Sequence, residues 1–153
     1  MNAISVLVIS ISNPILVGIY KDGILIEEIS QDGKTSDILP LIFKEILNKY
    51  NLKNIYYVNE PGSYMSIKIS YIFLKTLSIV KNINFKSING FEFNNNSPIK
   101  ALGKKYFFNN KNGDIVIDFL KESDIIELFK LPNSIEDFDF KDCVLPKYNL
   151  PVV

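Results

Sequence analysis

Residues 3–29 read AISVLVISISNPILVGIYKDGILIEEI, and the way this stretch divides sets the fold. Residues 3–11 are a run of β-branched and leucine side chains of strand length, the pattern of a strand covered on both faces. After Asn13-Pro14 a second apolar run covers 15–20. Lys21-Asp22-Gly23 then supplies a hairpin turn, in which Gly23 can take a positive φ, and residues 24–29 return. Three antiparallel strands open the chain.

Outward from this meander, the polar connection 30–34 leads into a helical pattern. Thr35 or Ser36 is the expected N-cap, Asp37 lies in the first turn, and Ile38, Leu39, Ile42, Phe43, Ile46 and Leu47 give one broad apolar face. Pro40 falls early enough to be tolerated. Residues 54–58 read as a short buried strand, Glu60-Pro61-Gly62-Ser63 as a turn, residues 65–81 as a second helix and residues 84–88 as another strand. The order β-β-β-α-β-α-β predicts a mixed sheet with parallel additions on one side. This is the α/β, ribonuclease-H-like arrangement of the actin, Hsp70 and sugar kinase superfamily. Asn94-Asn95-Asn96 marks a boundary between a 1–96 subdomain and a reduced 97–153 subdomain. In the latter, residues 99–109 and 113–120 read as a hairpin, 123–131 as a short helix and 132–153 as irregular chain.

With 153 residues, 47% of them hydrophobic, the chain can bury one real core. Its lysines balance its acids at zero formal net charge, which gives no broad field for nucleic acid. It has no His, Arg or Trp. Ser-His-Asp triads, Cys-His pairs and His-based zinc sites are thereby excluded, as is the bidentate guanidinium grip on phosphate. The single Cys143 leaves no intramolecular disulfide and suits a reducing compartment, so the cytoplasm is expected. Residues 1–12 carry no Lys or Arg before their apolar stretch and do not read as a signal peptide. Residues 67–80 contain Lys68 and Lys75 and are too short to cross a bilayer, so no membrane segment is expected.

Few side chains suggest chemistry. The Glu60–Ser63 turn before a helix could offer backbone N–H groups to an anion, but Glu60 sets a negative charge where a phosphate needs a positive one. Asp22, Asp32, Asp37, Glu60 and Glu92 are scattered, with no spacing that pairs two carboxylates. Glu136, Asp137, Asp139 and Asp142 alternate with Phe138 and Phe140, as an edge strand with an acidic outer face would, and match no cation-binding loop. Lys100, Lys104, Lys105 and Lys111, interleaved with Tyr106, Phe107 and Phe108, read either as a small RNA-binding surface or as hairpin alternation. No catalytic residue, metal or cofactor is expected.

The second helix is apolar nearly all round. Ile69, Phe73, Leu77 and Val80 form one stripe, and Ile67, Tyr71, Leu74 and the small Ser78 form another. Such a helix must bury two faces, and a short chain offers few partners for the second. The first stripe is expected on the sheet and the other against a partner.

These residues resemble the TsaB (YeaZ) family, inactive relatives of the TsaD tRNA-modifying ATPase. The family's turn and helix, Gly-Pro-Gly-Ser-Phe-Thr-Gly and an Arg-containing apolar helix, is matched by Glu60-Pro61-Gly62-Ser63-Tyr64-Met65-Ser66-Ile67-Lys68. Thr35-Ser36-Asp37-Ile38-Leu39-Pro40 is similar to the family segment ending Leu-Leu-Pro. Ala101-Leu102-Gly103-Lys104-Lys105-Tyr106 is similar to its Asp-Ala-Arg-x-Gly-Glu-Val-Tyr, and Pro146-Lys147-Tyr148 to its closing Pro-x-Tyr-Leu-Arg. The match departs at the first strand, where the superfamily's Asp-Thr motif is replaced by Ser10-Ile11-Ser12.

The resemblance implies a non-catalytic subunit supporting TsaD in making N6-threonylcarbamoyladenosine beside the anticodon of tRNA, which it touches only indirectly, with TsaE as a possible third member. It implies a heterodimer through helices 36–50 and 65–81, with Leu41, Glu45, Ile67, Tyr71, Leu74 and Ser78 at the interface. Ser10, Ser12, Glu60, Gly62 and Ser63 would be relics of a nucleotide site. Two other readings stand beside it: an active phosphotransferase or peptidase-like enzyme of the same fold, and a homodimeric scaffold without TsaD.

Overall fold

The computed structural model describes residues 2–149. β1 (Ala3–Ile9), β2 (Ile15–Lys21) and β3 (Ile24–Gln31) form the expected meander. Its hairpin turn places Asp22 at φ 52° and Gly23 at φ 81°, the left-handed region a two-residue hairpin turn demands. β4 (Asn51–Glu60) and β5 (Asn84–Asn89) add in parallel on the far side of β1, giving a five-stranded mixed sheet of order β3-β2-β1-β4-β5. Parallel neighbours need crossovers, and α1 (Thr35–Lys49) and α2 (Tyr64–Lys81) provide them. The fold is ribonuclease-H-like. Among the described residues no helix is long and apolar enough to cross a membrane.

Both helices lie on one face of the sheet. There Ile4, Val6 and Val8 of β1, with Ile55 and Tyr57 of β4, meet Leu39, Phe43 and Ile46 of α1 and Leu74 of α2. The alternate residues Leu7 and Ile9, with Leu16, Tyr20 and Val58, are buried on the opposite face. Burial of both faces is why β1 reads as an unbroken apolar run rather than an alternating one.

The second face is covered without α-helices, beginning with Phe91 and Phe93 of the 3-10 turn Gly90–Phe93. β6 (Ile99–Lys100), β7 (Lys105–Asn109) and β8 (Ile115–Phe119) make a separate antiparallel sheet of order β6-β7-β8, which packs Ile99 and the fully buried Phe107 against it. The irregular chain that follows supplies Leu131, Ile135, Phe138 and Phe140. It meets one sheet edge at β3, where the Ile135 N–H donates to Gly23 O and the Leu25 N–H donates to Asn133 O, both at 2.9 Å. It meets the other edge at β5, where Ser87 and Lys141 exchange two backbone hydrogen bonds of 2.9 and 2.8 Å. Five strands at ~4.8 Å spacing put the edges ~19 Å apart. Extended chain from Ser134 to Lys141 reaches ~23 Å, enough to strap the sheet from edge to edge.

Three expectations are corrected here. Neither Thr35 nor Ser36 caps α1. Lys34 holds the cap position without a side-chain bond, because Thr35 turns into the core and is buried. Residues 123–131 do not form a helix: the Glu127 N–H donates to Ser97 Oγ at 3.0 Å and the Lys130 N–H to Phe93 O at 2.9 Å, so the loop at 93–97 takes donors that helical carbonyls would have taken. The acidic cluster is not an edge strand. Phe138 and Phe140 pack inward as part of the strap, Phe140 stacking on Tyr56 at 3.9 Å between ring centroids, and Asp139 pairs with Lys141, which holds its carboxyl below the ordinary value.

Past β5 the strap turns onto the helix side, where the Tyr57 hydroxyl donates to Val144 O in the interior. Burial raises the Tyr57 pKa above its ordinary 10.0, with Tyr71, Tyr148 and Cys143 acting in the same direction. Tyr20, whose hydroxyl donates to Pro132 O at 2.7 Å, is raised by burial first and Glu28 second. Above about pH 10 the unfolded chain releases both phenol protons while the folded chain retains them. The unfolded state then binds fewer protons, so stability falls as pH rises. Thermal unfolding followed by circular dichroism should show melting temperature declining from about pH 10 upward. Tyr57→Phe should flatten that decline and lose about 1–3 kcal/mol at neutral pH, because Val144 O is left unpaired.

Candidate functional site

Two surfaces could serve a function: a cleft between the two sheets, and the outer face of the helices. The cleft, of about 810 Å³, opens where β1 runs into β2 and β4 into α2. Ile11, Ser12, Asn13 and Leu16 line one wall together with residues 62–65. The other wall is Ile99, Leu102, Tyr106, Ile126, Leu128 and Phe129.

Of the five positions expected as relics of a nucleotide site, Ser12, Gly62 and Ser63 line this cleft and Ser10 and Glu60 do not. Ser10, where the superfamily carries its acid, is 3% exposed and shares a hydrogen bond of 2.5 Å with Ser70 of α2, inside the protein. Glu60 forms an ion pair of 3.3 Å with Lys147 and so ties the strap to the end of β4. Gly62 has a packing role. A Cβ built there would lie 2.6 Å from Ile11 Cγ2, and one on Gly90 would lie 2.7 Å from Ile11 Cδ1, so Ile11 is wedged between two glycine backbones. Ser63 caps α2 through its Oγ, which accepts from the Ser66 N–H at 3.4 Å. Only Ser12, Gly62 and Ser63 reach the cleft wall.

On the helix face the two stripes of α2 are exchanged relative to expectation. Ile67 and Leu74 are fully buried against the sheet, with Ser70 and Ser78 on the same line, so Ile67, Leu74 and Ser78 are core and not interface. The serines explain the exchange: in the line Ile67, Ser70, Leu74, Ser78, spaced by three and four residues, they make a narrow ridge on which the helix can approach β4 and β5 closely. Their hydroxyls are satisfied locally, Ser70 by Ser10 and Ser78 by Lys75 O at 2.7 Å. A reading that weighs apolarity alone assigns serines outward and misses this.

The other stripe faces out. Ile72 is 52% and Val80 71% exposed, and Ile69, Phe73 and Leu77 are partly so. With Pro40 near the start of α1 they line an apolar groove of about 460 Å³. Phe73 meets Phe43 edge-on at 5.7 Å, which anchors the groove floor. Leu41, 65% exposed, and Glu45 project from α1 beside a second hollow of about 300 Å³. Tyr71 is half-buried, packed against the core. α2 carries Lys68, Lys75 and Lys81 and no acidic residue.

No protein-family model matches the chain, and no curated protein matches it. Solved structures do. YeaZ from Pseudomonas aeruginosa aligns over 83% of this chain and 67% of its own, with a TM-score of 0.57 and 9% identity. The crystal structure of an uncharacterized protein with similarity to peptidase YeaZ from Pseudomonas aeruginosa aligns over 86% of this chain and 65% of its own, with a TM-score of 0.56 and 9% identity. The chain therefore spans about two thirds of the length of the structures whose fold it shares.

The packing roles of Ser10 and Gly62 lead to a direct expectation. Ser10→Asp buries a carboxylate with one hydroxyl for company, and Gly62→Val drives a side chain into Ile11. Each should cost about 2–4 kcal/mol in urea unfolding, and neither should confer ATP binding by calorimetry.

Proposed function

We propose that this chain is a TsaB-type accessory subunit, without catalysis of its own, that supports a TsaD-type protein in forming N6-threonylcarbamoyladenosine on tRNA. The observation that carries the proposal is the outer stripe of α2. Ile69, Ile72, Phe73, Leu77 and Val80 leave an apolar groove open beside α1, at the pair of helices through which this family's resemblance implies a heterodimer. Such a face on a small protein is costly to leave in water and marks an interaction site.

The chemistry of α2 defines the partner surface further. Lysines without acids around an apolar stripe fit a helix pair that presents apolar side chains flanked by carboxylates. Leu41 and Glu45 on α1 extend the face at its opposite margin, and half-buried Tyr71 can take part only at the edge. The absence of the superfamily acid at Ser10, and the seating of that serine on Ser70, support a supporting rather than a nucleotide-hydrolysing role. Work in the cytoplasm, alongside a TsaE-type ATPase and with tRNA held by the partner, belongs to the same proposal.

Co-expression with the TsaD-type protein of the same host gives the test. Ile72→Lys and Val80→Lys should each weaken the complex at least about tenfold in calorimetry while leaving melting temperature nearly unchanged, since both side chains are largely exposed. Leu74→Lys should instead prevent folding, a buried charge costing several kcal/mol. In cells, Ile72→Lys should lower threonylcarbamoyladenosine in tRNA hydrolysates measured by mass spectrometry. Undiminished modification after verified depletion of the chain would overturn the assignment. A stable homodimer that ignores the TsaD-type protein would favour a scaffold.

A further inference from the structure

The cleft between the sheets plays no part in helix docking, and its walls describe an occupant. Its volume of about 810 Å³ lies inside the range of small-molecule sites, ~300–1,000 Å³. Large apolar side chains sit at its mouth with much of their surface in water, among them Met65 at 57%, Leu102 at 60% and Leu128 at 88% exposed. The Ser12 hydroxyl and the Asn13 amide lie together on one wall, and Tyr106 adds a phenol on the other. The charged lining residues are Lys100 and Glu127. Lys100 Nζ donates to Gly103 O at 2.9 Å and lies 5.4 Å from the Tyr106 ring centroid, contacts that hold its position and leave its charge in place. Glu127 makes no ion pair among the described residues. One ammonium and one carboxylate leave the lining without net charge, so a neutral ligand gives up the least hydration on entering it.

We propose that this cleft is a binding site for a neutral, mainly apolar small molecule with one hydrogen-bonding end, which points to Ser12 and Asn13. It takes the molecule's apolar body between the Leu16–Met65 wall and the Leu102–Phe129 wall. The site is separate from the helix groove: α2 lends it only its first turn, Tyr64 and Met65, and no residue lines both.

Nile red, neutral and largely apolar with a carbonyl acceptor, serves as the probe on the full chain. Fluorescence titration should show saturable binding at one site per chain. Octanol should displace the dye, whereas octanoate and ATP at equal concentration should not. Leu102→Asp, at an exposed position in the cleft, should weaken binding at least about tenfold. Val116→Asp, at an exposed apolar position on β8 outside the cleft, should leave it unchanged, as should Ile72→Lys on the helix face. Non-saturable binding, or an equal loss in Val116→Asp, would overturn the site. Displacement by octanoate as readily as by octanol would overturn the ligand class. A dimer in sedimentation velocity that Leu102→Asp dissolves would assign the cleft to a second copy and overturn the small-molecule proposal. Loss of binding to the TsaD-type protein would bear on none of these results.

Discussion

A sheet that is apolar on both faces needs two covers, and this protein has α-helices for only one. That constraint originates in β1, whose side chains are buried alternately toward α1 and α2 and toward the C-terminal chain. Every later element answers it. The helical crossovers settle on the first face because parallel additions at β4 and β5 require them there. The small sheet β6-β7-β8 and the strap at 130–148 settle on the second. The strap has no regular backbone pairing of its own, so it is held by anchors: two bonds to the start of β3, two to Ser87, the Tyr57 and Asn59 side chains on Val144 O and Leu145 O, and the Glu60–Lys147 pair.

The first sheet was readable in the sequence because its signals are local. Apolar runs of strand length, an Asp-Gly turn and a helical period between strands each act over a few residues, and together they dictate order and direction. The strap was not readable in the same way. Its conformation is set by partners far earlier in the chain, such as Gly23 for Ile135 and Ser87 for Lys141, and an irregular segment has no period to betray where it lies. The helix expected at 123–131 failed for that reason: its apolar residues suit either a helix face or an extended cover, and the donors were claimed by Ser97 and Phe93.

The candidate sites divide along the same line. That α2 had to bury two faces was evident from its composition, but which stripe faced inward was decided by Ser70 and Ser78, polar residues whose value lies in being small. The Glu60–Ser63 turn looked like a damaged phosphate site. In three dimensions Gly62 is there for Ile11, Glu60 for Lys147 and Ser63 for the helix start. Residues that resemble the remains of one function are held in place by packing, and the cleft they border is apolar. The helix groove and the cleft share no lining residue, so either can change without disturbing the other.

The strap also sets a schedule for synthesis. A chain leaving the ribosome completes all five strands of the main sheet by Asn89, with α1 and α2 already available to cover one face. The other face, including Leu7, Ile9, Leu16 and Val58, gains part of its cover from residues 91–119 and the rest only when residues 130–148 emerge, some forty to sixty residues later and several seconds on at ~5–20 residues per second. During that interval both sheet edges and part of one apolar face are open. The nascent chain is most vulnerable to aggregation then, and its need for chaperone cover ends when the strap closes across the sheet.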